Sequence, residues 1–187
     1  MTEITDKTSV AKLPEPVERF ILQWGDLGGQ WGVNRSVSQI QALLYLSEKP
    51  LTAEEIAEQL GMARSNVSTS LKELLSWNLI RRVPMRNDRR DHYEAEVDLW
   101  EMAAKIAAGR KAREIDPAMA ILSACVAEAK TDKAVSATAR KRLGDMHGFM
   151  QDVDRWYSQM LSMPRAKRDI VLKLGSKILS YLPGSKS

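Results

Sequence analysis

A single cysteine, Cys125, leaves this chain without a disulfide framework or a cysteine-rich zinc site. Its two histidines, His92 and His147, lie far apart and are too few for a histidine-based metal centre, so no metal is expected. No uncharged apolar run approaches the roughly 20 residues of a membrane span. Met1 to Lys12 is polar and holds no signal core, so the expected location is the cytoplasm, with no membrane partner. No Gly-rich phosphate loop, nucleophile elbow, metal-ligand spacing or isolated carboxylate pair occurs, so neither catalysis nor a cofactor is expected. Charge of one sign is nearly absent in sum: 28 basic against 24 acidic side chains give +4 over 187 residues. What remains is core material, with 44% hydrophobic and 28% charged residues, ordinary values for a folded chain.

The small net charge conceals a patch. Residues 1–35 are −1, residues 36–98 are −2 and residues 99–187 are +7. Within the acidic middle, Ala63 to Arg90 holds seven basic residues against Glu73 and Asp88 alone, a local +5. A polyanion meets such a stretch as a focused positive field.

Hydrophobic spacing predicts the elements. Pro14 and Pro16 open a helix whose Val17, Phe20, Trp24, Leu27 and Trp31 form one apolar stripe. Gly25, Gly28, Gly29 and Gly32 recur on another face, each costing about 1 kcal/mol of helix propensity against Ala. Close approach of another backbone is the expected compensation. Ser36–Gln39 reads as a capping box for a helix with Ile40, Leu43, Leu44 and Leu46 inward. Thr52–Glu55 is a second box, starting a short helix from Ala53 to Leu60, with Gly61 as its left-handed cap. Arg64 to Trp77 follows, with Val67, Leu71, Leu74 and Leu75 on its apolar face. Leu79–Val83 and His92–Val97 read as the strands of a hairpin with Arg86–Asp91 as its basic turn. The remainder is helical: from Leu99 to about Glu114, a fresh start at Asp116-Pro117, and a heptad seam from Ser136 broken at Met163-Pro164. A last basic helix, Arg165 to Lys177, carries Val171 and Leu174, and Ile178 follows on the same face. Cys125 sits among Ile121, Leu122, Ala124 and Val126 and reads as a buried structural thiol.

Short helix, glycine turn, polar-basic helix and basic hairpin, in that order, predict a mainly α winged helix-turn-helix with a small β-hairpin wing and flanking dimerisation helices. The second helix of such a pair fits the major groove of B-DNA. On it, Arg64, Ser65, Asn66, Ser68 and Thr69 can meet base edges, and Lys72 suits phosphate. Arg86, Arg89 and Arg90 can clamp phosphates or enter a minor groove. Asp88 repels phosphate and reads as an orienting partner for Arg90.

These residues carry a resemblance. Gly61-Met-Ala-Arg-Ser-Asn-Val-Ser-Thr-Ser-Leu-Lys-Glu-Leu74 resembles the recognition helix of MarR-type winged-helix repressors, and Asp88-Arg-Arg90 resembles their wing motif. Trp31–Ser36, Leu43–Ser47 and Asp88–Glu96 are similar to one branch, the regulators of glycine betaine synthesis (GbsR-like). The resemblance covers roughly residues 15–110. It implies a homodimeric repressor on a pseudo-palindromic operator, responding to a small molecule such as choline or another compatible-solute-related ligand. The division that follows is an N-terminal helix plus DNA-binding domain over 14–98, with its core at 36–98, and a helical dimerisation and effector region over 99–183.

Other residues receive two readings. Trp24, Trp31, Tyr45, Trp100, Trp156 and Tyr157 are candidates for a cage around a cationic solute, since aromatic faces hold quaternary ammonium groups; plain core is the other reading. Leu143, Met146, Met150, Val153, Tyr157 and Met160, with Leu174 and Ile178, are the candidate dimer seam, which can equally pack within one chain. The alternative to a regulator is a winged-helix architectural or protein-interaction module without effector sensing. Nothing in folding requires Arg89 and Arg90 at the hairpin, which favours the regulator.

Overall fold

The computed structural model describes residues 13–164 together with Lys167, Ile170 and Leu174. The chain divides into two compact units, with the boundary after Ile106. The first unit begins with α1 (Glu15–Gln30) and α2 (Arg35–Leu46). Then follow β1 (Leu51–Thr52), α3 (Ala53–Leu60), α4 (Arg64–Ser76), β2 (Ile80–Met85) and β3 (Asp88–Ala95). Helix α5 (Leu99–Arg110) runs across the boundary. The architecture is the mainly α winged helix with a small sheet that the pattern predicts.

The glycines of α1 explain its packing. The buried residues of α1 are Ile21 and Gly25, with Gly28 half-buried. A Cβ on Gly25 would lie 2.5 Å from Gln39 Cγ, and one on Gly28 would lie 2.0 Å from Ser38 Oγ. Helix α2 therefore seats its Ser38 and Gln39 directly on the glycine face, a close approach made by side chains and not by the expected backbone. The expected apolar stripe is corrected by the same fact. Phe20, Leu27 and Trp31 are exposed, Trp31 by 64%, because the glycine face and not the aromatic face turns inward. Trp24, half-buried, stacks on Phe20 and donates from Nε1 to Gln41 Oε1 at 2.9 Å. Gln41 in turn donates from Nε2 to Met102 Sδ at 3.0 Å. A buried amide thus bridges α1, α2 and α5, and buried polar groups need such partners.

The start of α2 also differs from expectation. Asn34, not Ser36, is the cap: its Oδ1 accepts from Ser36 N at 2.8 Å. The Ser36–Gln39 box does not form because the helix already begins at Arg35, which puts Ser36 inside the first turn and not at the cap. The Thr52–Glu55 box does form. Glu55 N donates to Thr52 Oγ1 at 3.2 Å, and Thr52 N donates to Glu55 Oε2 at 2.7 Å. Partial burial pushes the Glu55 carboxyl up, but the Thr52 hydrogen bonds outweigh it and the net shift is downward. Gly61 ends α3 at φ 61°, the left-handed cap.

The sheet holds one strand more than predicted. Its order is β1-β3-β2, all antiparallel, with Leu51 opposite Tyr93 and Thr52 opposite His92. A two-residue strand gives too short a pattern to read. The wing strands are longer than expected and its turn shorter: Arg86 and Asn87 alone lie between them, and Asn87 takes φ 66°. The register is interrupted. Val83 pairs with His92 and Met85 with Asp88, so Arg89, Arg90 and Asp91 lie opposite Pro84 alone. Proline has no N–H for the ladder, and β2 is an edge strand, where proline is tolerated.

The second unit contains a π-helical turn (Lys111–Ile115), α6 (Asp116–Thr131) and α7 (Ala137–Ser162). Helix α6 begins at Asp116 with Pro117 in its first turn, as expected, but Asp116 does not cap it and the chain does not leave the helix before it. Arg110, Ile115 and Asp116 all keep right-handed helical backbone angles. Pro117 deprives the preceding turn of a donor, and the wider π turn absorbs that loss. Lys111 Nζ reaches Asp116 Oδ1 at 2.5 Å and Asp154 Oδ1 at 2.9 Å, tying this turn to α7; these bonds raise the Lys111 pKa.

Helix α7 runs back along α6. Ser123 Oγ meets His147 Nε2 at 2.9 Å, and Arg140 Nε donates to Ala129 O at 2.7 Å. Leu122, Val126 and buried Ala129 turn toward α7. Cys125 is exposed, which corrects the expectation of a buried thiol. Met163 leaves the helix as predicted. Of the last basic helix only Lys167, Ile170 and Leu174 are described, and Ile170 and Leu174 are exposed; Val171 and Ile178 lie outside the described residues.

Candidate nucleic-acid interface

Helix α4 has two faces for a simple reason. Val67, Ser70, Leu71 and Leu74 repeat at helical spacing and are buried. The positions between them, Ser65, Ser68, Thr69 and Lys72, therefore point out, and all four are exposed. Thr69 Oγ1 donates to Ser65 O at 3.0 Å. Arg64 stands exposed at the start of the helix. Asn66 is exposed on its flank, and its Nδ2 donates to Ser36 Oγ at 2.8 Å.

Ion pairing sorts the arginines of the wing. Arg81 pairs with Glu94, Arg82 Nε lies 3.4 Å from Asp91 and Arg90 is held by Asp88. Among the described residues, Arg64, Lys72, Arg86 and Arg89 make no ion pair. Of the seven basic residues behind the local +5, these four stand without an ion pair and three arginines face carboxylates. Asp88 does what its position suggested. Its Oδ1 accepts from both the backbone N and the Nε of Arg90 at 3.0 Å. The Arg90 guanidinium holds the Asp88 carboxyl far below the usual carboxylate range, and Asp88 raises Arg90 in return. Buried His92 stands behind this pair, with Nδ1 3.0 Å from Arg90 O and Nε2 3.5 Å from Asp88 Oδ2. The interrupted register beside Pro84 is a bulge, and bulges next to functional sites re-aim side chains. Here it carries Arg89 and Arg90, both exposed.

The six candidate cage aromatics are spread along the chain. In the first unit, Trp24 is engaged by Gln41, Trp31 is mostly exposed, and Tyr45 and Trp100 are half-buried. In the second, Trp156 is 62% exposed and Tyr157 half-buried. An open cleft of about 700 Å³ at the root of the wing is lined by none of the six; Ser47, Lys49, Asn78, Arg81, Glu94 and Lys105 are among its walls. Of the candidate seam, Leu143, Met150, Val153, Tyr157 and Met160 are half-buried, and Met146 is exposed. Phe149 and Trp156, not singled out by the heptad, are exposed beside them. Two polar residues carry no signal in the sequence pattern, Ser36 as partner of Asn66 and Gln41 as the bridge. Both contacts join distant positions, and no local spacing points to them.

A short helix, a left-handed glycine, an outward polar helix and a hairpin bearing exposed arginines define a winged helix-turn-helix domain. Residues 31–91 match the profile of the MarR family. The HTH-type transcriptional repressor OpcR of Bacillus subtilis strain 168 is 24% identical over 95 residues, 51% of this chain and 51% of its own length. The HTH-type transcriptional repressor GbsR of the same organism is 26% identical over 85 residues, 46% of this chain and 47% of its own. The chain thus spans about half the length of these relatives. A crystal structure of a transcriptional regulator shares the fold at a TM-score of 0.61 and 16% identity, covering 78% of this chain and 95% of that one. Both relatives are named as transcriptional repressors.

Proposed function

We propose that the chain is a sequence-specific DNA-binding regulator, acting in the cytoplasm as a homodimeric repressor on a pseudo-palindromic operator. The observation that supports it most is the set of cations without an ion pair among the described residues, Arg64, Lys72, Arg86 and Arg89, spread over α4 and the wing. Arg64, Ser65, Asn66, Ser68 and Thr69 read bases in the major groove, and Lys72, Arg86, Arg89 and Arg90 hold the backbone. Residues 14–98 form the reader and residues 99–183 the pairing region. Two readers must stand roughly 34 Å apart, one DNA turn. Exposed apolar side chains on both units, Phe20 and Leu27 on α1 and Met146, Phe149 and Trp156 on α7, favour a second copy as the means.

The test is titration of labelled duplexes at several salt concentrations. The slope of log affinity against log salt is about −0.9 per neutralised phosphate, so four cations predict about −3.6 per chain. Binding that ignores salt, or no binding, would sink the reading. A small-molecule signal enters through the likeness to the glycine betaine branch. Calorimetry with choline and with glycine betaine tests it, and heat from neither removes that part.

A further inference from the structure

Asn66 is the one candidate base reader whose side chain is tied to a different helix among the described residues. Its Nδ2 donates to Ser36 Oγ at 2.8 Å, and Ser36 lies in the first turn of α2, outside the helix-turn-helix. A carboxamide has two N–H donors and one carbonyl acceptor. Ser36 takes one donor and leaves a carbonyl and one N–H. That remaining pair is the pattern that meets adenine N6 and N7. A free Asn side chain on an exposed helix must lose its rotamer freedom when it binds. This one is already held.

Ser36 is itself held. Its backbone N donates to Asn34 Oδ1 at 2.8 Å, and buried Val37, Ser38 and Gln39 follow it in the helix. Ser38 and Gln39 rest on Gly28 and Gly25, so the first turn of α2 has little room to shift. The chain of support runs from the glycine face of α1, through the first turn of α2, to one side chain of α4.

We infer that Ser36 is a positioning residue for base readout: its hydroxyl sets the pose of the Asn66 amide and so the base preferred at one operator position. The inference rests on the DNA-binding reading above. The experiment selects preferred sites from a random duplex pool with the full chain, then measures competition between the preferred site and its single-base variants. Asn66→Ala should cost roughly five- to a hundredfold in preference at one base pair. Ser36→Ala should cost roughly three- to tenfold at that same pair, because an unheld amide must be ordered on binding. Ser36→Thr, which keeps the hydroxyl, should restore the preference. Affinity for non-specific duplex and the melting temperature should stay at wild-type values in both Ser36 variants. Two outcomes would overturn the inference: an unchanged preference profile for Ser36→Ala, or equal weakening on every duplex, which a plain interhelical strut would produce. Failure of the wild type to prefer any site would instead refute the reading beneath it.

Discussion

Replacing both Arg89 and Arg90 with Ala lowers affinity for every duplex, specific or not, by about ten- to a hundredfold at moderate salt. The salt slope becomes shallower by about one for each phosphate that is no longer neutralised. The two residues are not equivalent. Arg89 makes no ion pair among the described residues, so its charge is available as it stands. Arg90 is oriented by Asp88 through three nitrogen donors, its backbone N, Nε and Nη2. Asp88→Asn removes a negative charge from the wing, and simple electrostatics then predicts tighter binding. Orientation predicts the reverse, because the Arg90 fork loses its support. Fluorescence anisotropy with one specific and one random duplex separates these. Equal binding by wild type and the double variant would show that the wing takes no part.

Gly28→Ala unfolds the protein more easily, by about 1–3 kcal/mol, a typical cost of overpacking. Its new Cβ would stand 2.0 Å from Ser38 Oγ and 2.7 Å from Ser38 Cβ, and both atoms sit on the rigid, buried side of α2. Gly29 provides the contrast. It follows directly in the same helix, and a Cβ there meets nothing within 4 Å. Gly29→Ala should therefore stabilise, by about 0.5–1 kcal/mol of helix propensity. Thermal melting of the two variants should move in opposite directions, each 1 kcal/mol shifting the midpoint by about 2–4 °C in a chain of this size. A shift of both in the same direction would mean that α1 and α2 pack more loosely than described.

The neighbouring glycines also show what a sequence tells and withholds. Four glycines at helical spacing announce a close approach, but only the packing against Ser38 and Gln39 says which two are needed. The apolar stripe of α1 is legible as a stripe, and its direction is not: a seam for a second molecule and a seam for the core have the same spacing. The helix-turn-helix is legible because each device is local. The Thr52 box, the Gly61 cap and the alternation of α4 each lie within one or two turns. Asn66 with Ser36 and Gln41 with Met102 join distant segments, so chemistry alone does not foretell them. Asp116-Pro117 reads as a fresh start because proline suits a first helical turn; a π turn leads into it and the backbone never leaves the helix.

Pro84 marks a mismatch of length as well as a missing N–H. Between the pairs Val83–His92 and Met85–Asp88, β3 holds three residues and β2 holds one, so no single substitution in β2 can make the hairpin regular. Only a shorter β3 could do that, and the residues it would lose are drawn from Arg89, Arg90 and Asp91. The wing is therefore guarded against smoothing by point mutation: its irregularity and its arginines are the same stretch of chain.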